Sequence, residues 1–195
     1  HYPLDVETGM NVTRQEAWTA REERELEVPE FVAEVIERIA FRARMDKRID
    51  QRSGVSQRMP ITVMETVLSN AERRALLLGE QTAVARVVDV YAALPAITGK
   101  MELEYEGELH GHDRIGRELI AGAAAEVFEE RAGGADVDDL IDYFESGGAL
   151  QLGEEASAAA CMQGFSTVPG LVELVEQTGL AGRTASDGAR AAACE

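Results

Sequence analysis

Between Val28 and Tyr91 the large aliphatic residues return every three or four positions, and no other feature constrains the fold so strongly. Val32, Val35, Ile36, Ile39 and Ala43 lie on one stripe of a 3.6-residue repeat. Ile61, Met64, Leu68, Ala71 and Ala75 lie on a second, with Val63 and Val67 beside them. Stripes of that width belong to helices with one face buried. Val28-Pro29-Glu30 puts proline in the first turn of the first helix, where a missing N–H is harmless, and Gly79 stops the second. Glu34, Glu37 and Arg38 are expected to face outward. Asp5 caps a shorter helix reaching about Ala17, with Asp5 and Glu7 favoured by the helix dipole. A fourth helix is predicted from about Thr82 to Leu94, with Val84, Val87, Val88 and Tyr91 inward and Pro95 ending it. Arg21 to Glu27 reads as a charged connector and Asp46 to Ser56 as a loop carrying Gly54. Four helices with short links form an all-helical bundle.

After residue 98 the period changes. Met101, Leu103 and Tyr105 alternate with Glu102, Glu104 and Glu106, which predicts a strand with one acidic face. That face is expected to be solvated, or less readily to serve as a docking edge for a basic partner. Helical spacing returns from Asp113 to about Arg131, ended by Gly133-Gly134. Val137, Leu140, Ile141 and Phe144 mark a short helix closed by Gly147-Gly148, and Val168-Pro169-Gly170 opens a last one with Leu171, Leu174 and Val175. From Ala181 onward there is no large apolar residue, so a disordered tail is expected. The chain therefore divides into a helical domain at 1–98, an α+β appendage at 99–180 and a tail at 181–195.

Composition narrows the function. A formal net charge of -17 repels nucleic acid and anionic membranes, so neither is an expected partner. No apolar run approaches the length of a membrane span, and the first residues lack the basic start and apolar stretch of a signal peptide, which leaves a cytoplasmic location. The absence of an initiator methionine suggests a piece of a longer protein. Cys161 and Cys194 read as free thiols.

Against this acidic background, Arg42, Arg44, Lys47, Arg48, Arg52 and Arg58 stand among only Asp46 and Asp50, and form the one plausible anion site. If Ser53 or Ser56 caps the following helix, Arg58 lies in its first turn, where the dipole disfavours a cation. A phosphate between Arg58 and the free N–H groups would reverse that preference. The alternative is an ordinary solvated or salt-bridged arginine.

The run Arg52-Ser53-Gly54-Val55-Ser56-Gln57-Arg58, followed by Ser69-Asn70-Ala71-Glu72-Arg73-Arg74-Ala75, resembles the helical lid of AAA+ ATPases, in the magnesium-chelatase-like and MoxR-like group. The likeness runs from His1-Tyr2-Pro3-Leu4, similar to the end of the core domain's last strand, to about Leu180. It includes Ile97-Thr98-Gly99-Lys100-Met101-Glu102 and Val168-Pro169-Gly170-Leu171. The resemblance implies a mainly α fold, with a lid-type bundle and a small strand-plus-helix appendage. It makes Arg58 the sensor 2 arginine that reaches the γ-phosphate of ATP, with Ser53 and Arg52 beside it. ATP and magnesium would belong to the parent protein. The implied partners are an upstream AAA+ core domain, the other subunits of a ring, and a protein bearing a von Willebrand factor A-type domain. The implied function is ATP-dependent remodelling or metal insertion.

The family's phosphate loop, its acidic magnesium-binding strand and its polar sensor 1 residue have no counterpart here. Gly99-Lys100 is no substitute, because Leu94 and Met101 stand where a phosphate loop needs Gly and Ser or Thr. The tail after Leu180 also departs from the family. No complete catalytic site is expected in this chain. His110, His112 and Asp113 fall short of a zinc set without ligands from elsewhere, His1 being the only other histidine. No nucleophile elbow or Cys–His pair occurs. The competing reading is an acidic helical adaptor that binds a basic partner without nucleotide.

Overall fold

Helix α2 (Glu30–Met45) takes the centre of the molecule because both its apolar and its polar faces are covered. The computed structural model describes residues 2–21, 24–181 and 185–195. His1, Glu22 and Glu23 of the connector, and 182–184 of the tail lie outside the described residues. Helix α1 (Val6–Glu16) is capped as expected, the Asp5 carboxylate accepting the Thr8 N–H at 2.7 Å. Strand β1 (Glu25–Glu27) leads into α2 (Glu30–Met45), and α3 (Arg58–Leu78) follows the basic loop. Gly79 ends α3 in the left-handed conformation (φ 69°), as its sequence position predicts.

Strand β2 (Thr82–Val84) then pairs in parallel with β1: Glu25 with Thr82, Leu26 with Ala83, Glu27 with Val84. These strands replace the charged connector and the first turn of the predicted fourth helix. That helix is instead α4 (Val87–Ala92), preceded by extended Arg86. Val84, Val87, Val88 and Tyr91 have helical spacing, but pairing with β1 holds the first of them extended, a contact that local pattern does not report. Pro95 opens α5 (Leu94–Thr98) rather than ending α4, its ring occupying a first-turn position.

Residues 101–106 form no strand. One antiparallel bridge joins Ile49 to Leu103, and α6 (Tyr105–His110) begins at once. Among the described residues the edge they meet is the loop after α2, which supplies Asp50 N–H to Glu102 C=O at 2.9 Å and accepts Glu104 N–H on Arg48 C=O at 2.8 Å. Alternation without a partner strand cannot hold a ladder.

Helix α7 (His112–Ala132) packs along α2 with Ile115, Leu119, Ile120, Ala123 and Val127 buried. The outward placing of Glu34, Glu37 and Arg38 is corrected: α7 covers Glu34 and Arg38, while Glu37 turns toward Thr13 of α1 and Gln57. Glu37 is completely buried, Glu34 is buried, and Arg38 is largely covered. Arg38 meets Glu34 at 2.8 Å and also pairs with Glu126 and Glu130 of α7. The main core, with Ile36, Ile39, Met64, Leu68, Ile97 and Ile120 fully buried, draws on residues before and after position 98.

Helices α8 (Asp138–Glu145) and α10 (Leu171–Thr178) match the predicted spans. Helix α9 (Ala158–Phe165), capped by Ser157, was not anticipated. Nor was α11 (Asp187–Cys194), which lies in the stretch expected to be a disordered tail. Small residues suffice for it: Ala191, Ala192 and Cys194 are buried against α9 and the main core. Among the described residues the molecule is mainly helical, with eleven helices and one two-stranded sheet. No helix among them is long and apolar enough to cross a membrane.

Candidate functional site

Arg58 is the first residue of α3, and its side chain is exposed. Neither serine expected as a cap holds that position, which Gln57 takes with no side-chain bond to the helix; only one of them, Ser56, reaches the first turn. Its Oγ accepts the Arg58 N–H at 3.3 Å, and its carbonyl accepts the Met59 N–H at 3.0 Å. With those two N–H groups held and none on Pro60, what the start of this 21-residue helix presents to an anion is the exposed Arg58 guanidinium.

The arginines of the basic loop separate into two kinds. Arg42 pairs with Glu126, Arg48 with Asp46 at 2.7 Å and Glu118 at 2.6 Å, and Arg52 with Asp50 at 3.6 Å. The bonds from Arg48 hold the Asp46 and Glu118 carboxyls below the usual carboxylate range. Arg44 donates to the Val55 carbonyl at 2.9 Å and to Gln57 Oε1 at 3.0 Å. Arg58 alone among the arginines from 42 to 58 has no side-chain hydrogen bond or ion pair among the described residues.

Ser53 and Arg52 are placed differently from Arg58. The Ser53 hydroxyl donates to Asp50 at 3.2 Å and to Glu102. The Arg52 side chain is 89% exposed and turns toward Asp50. An anion at Ser53 would meet two carboxylates first, so the electrostatics favour the helix start at Arg58 over the loop before it.

Behind Arg58 lies a support that the sequence reading missed. Gln57 Nε2 donates to both Glu37 carboxylate oxygens, at 2.8 and 3.0 Å, and reaches Thr13 Oγ1 at 3.2 Å and the Gly9 carbonyl at 3.3 Å. Thr13 in turn donates to Glu37 at 2.9 Å. Burial pushes the Glu37 carboxyl up, against the opposing pull of Gln57, Thr13 and the Arg44 charge. Arg44 also lies over the Tyr2 ring at 4.6 Å and the Phe41 ring at 5.2 Å. At Gly54 (φ 67°) the Tyr2 hydroxyl occupies the space a Cβ would need. Helices α1 and α2 thus meet on the residue preceding Arg58, and Tyr2 packs beside them on Arg44 and Gly54. No local pattern marks Gln57, Glu37 or Arg44 for this role, since their partners lie far along the chain.

A second polar cluster is buried at the strand pair. Asp89 accepts from Asn70 Nδ2 at 2.7 Å, from Arg74, and from the Arg86 N–H at 2.8 Å. Arg74 also donates to the Val84 carbonyl at 2.8 Å. Asn70 and Arg74 belong to the quoted Ser69–Ala75 run, and here they brace α4 against α3. Arg86 reaches the Ala156 carbonyl at 3.1 Å, Cys161 Sγ at 2.9 Å and the Glu195 carboxylate at 3.4 Å. Arg74, Thr82, Arg86 and Ser186 line a cavity of about 290 Å³ beside this cluster. Both arginines are matched by a carboxylate, so the cluster is a brace.

His110 ends α6 and His112 begins α7, and no group of three or more His, Cys, Asp or Glu suited to a metal occurs among the described residues. Both cysteines are free thiols, buried where α9 and α11 pack. No protein-family profile, no curated protein and no solved structure gave a significant match to the chain.

Proposed function

We propose that the chain is the C-terminal, lid portion of a AAA+ ATPase of the magnesium-chelatase-like or MoxR-like group, with Arg58 as its sensor 2 arginine. One observation carries the reading: Arg58 stands at the start of a long helix with its guanidinium free, while every neighbouring arginine is engaged. A cation kept unpaired where the dipole disfavours it is suited to meeting an anion brought from outside. The Gln57–Glu37–Thr13 network gives that helix start a fixed position.

In the parent protein an upstream core would supply the phosphate loop and hold magnesium. When ATP draws the lid against the core, Arg58 would donate to the γ-phosphate oxygens and offset the charge that develops there. Closure and release would move one subunit of a ring against the next. The work would be remodelling of a client or metal insertion, with a partner bearing a von Willebrand factor A-type domain.

The test is Arg58→Ala in the complete ATPase. Turnover should fall on the order of a hundredfold, with a smaller change in KM for ATP. Wild-type turnover in the variant would reject the sensor role.

A further inference from the structure

Helix α8 is amphipathic, yet none of its residues is buried and, among the described residues, no other helix or strand packs closely against it. Val137, Leu140, Ile141 and Phe144 fall on one stripe, with Ile141 48% and Phe144 49% exposed. That spacing is how a helix presents itself to a partner helix. Glycine pairs, Gly133-Gly134 and Gly147-Gly148, bound the segment on both sides. Its other faces carry Asp138, Asp139, Asp142 and Glu145, none with an ion pair among the described residues. The contrast with α7 is direct, since Glu118, Glu126 and Glu130 there are all matched by arginines.

The charge around α8 identifies its partner. From Ala132 to Gly182 the sequence holds no lysine or arginine, against nine aspartates and glutamates. A second copy of a chain with net charge -17 would be repelled, and so would an anionic membrane. We propose that α8 is a docking helix for a protein segment that forms a basic amphipathic helix. Ile141 and Phe144 would meet its apolar stripe, and the flanking carboxylates would meet its lysines and arginines. This inference does not rest on the ATPase reading.

The test uses the whole chain and a synthetic amphipathic helical peptide of leucine and lysine, followed by fluorescence anisotropy. The double variant Ile141→Ser/Phe144→Ser should keep the wild-type Tm, because neither side chain is buried. It should bind the peptide at least about tenfold more weakly. Changing Asp138, Asp139, Asp142 and Glu145 together to their amides should weaken binding separately and remove most of its salt dependence. Equal binding by wild type and the double variant would overturn the proposal, as would no binding by wild type. Sedimentation showing self-association that the double variant abolishes would also overturn it, by giving the face to a second copy.

Discussion

Glu34 and Glu37 sit three positions apart on α2 and are shifted in opposite directions. Burial alone would raise both. For Glu34, bonds from Arg131 at 2.7 Å and Arg38 at 2.8 Å outweigh burial and hold the carboxyl below its ordinary range. Glu37 has neutral donors in contact and Arg44 only as a nearby charge, so burial prevails and the carboxyl rises. The linkage signs follow. The lowered Glu34 contributes stability that is present above the ordinary carboxylate range and lost as pH falls through its folded value. The raised Glu37 contributes stability that is present below that range and lost as pH rises through its folded value. Urea midpoints from about pH 3 to about pH 8 should therefore separate two variants. Glu34→Gln should lose its disadvantage relative to wild type as pH falls, and Glu37→Gln should gain on wild type as pH rises. The same slope in both would contradict the assignments. Arg58 at a helix start was legible at this scale because capping and dipole rules are local. Its support was not, because Gln57 meets Glu37, Thr13 and Gly9 only after three segments have packed.

The longer helices were written in the sequence wherever period and punctuation agreed. Asp5, Pro29 and Gly79 mark boundaries of α1, α2 and α3 that the structure places within a residue or so. The strand pair was hidden because three residues per strand hold no readable period, and the alternation at 101–106 misled because it lacked a partner edge. Ser157 before an alanine run was a usable signal for α9. The end of α3 offers a clean test of element stability. A methyl group at Gly79 would touch nothing within 4 Å, so Gly79→Ala pays only for the left-handed backbone. The expected loss is about 1 kcal/mol in a denaturant titration. No loss would mean that the Ala75 carbonyl, which accepts the Glu80 N–H at 2.9 Å, can cap the helix through another conformation.

For the whole molecule, Arg86 is the junction between two cores. Its N–H and carboxylate partners tie the strand pair and α4 to α9 and to Glu195 beyond α11, and α11 itself bridges, with Ala192 in the main core and Ala191 in the smaller one. Arg86→Gln leaves the Glu195 carboxylate without its cation and should cost about 3 kcal/mol. Amide exchange should quicken first in α9 and α11 while α2 and α3 stay protected; uniform quickening would mean the two cores open as one. The cysteines at this junction have a practical consequence. Burial pushes the Cys161 thiol up and the Cys194 thiol to about 11, so neither offers a thiolate to an alkylating reagent while its helix is docked. Labelling therefore waits on opening, and the molecule carries two native clocks for the undocking of its C-terminal helices.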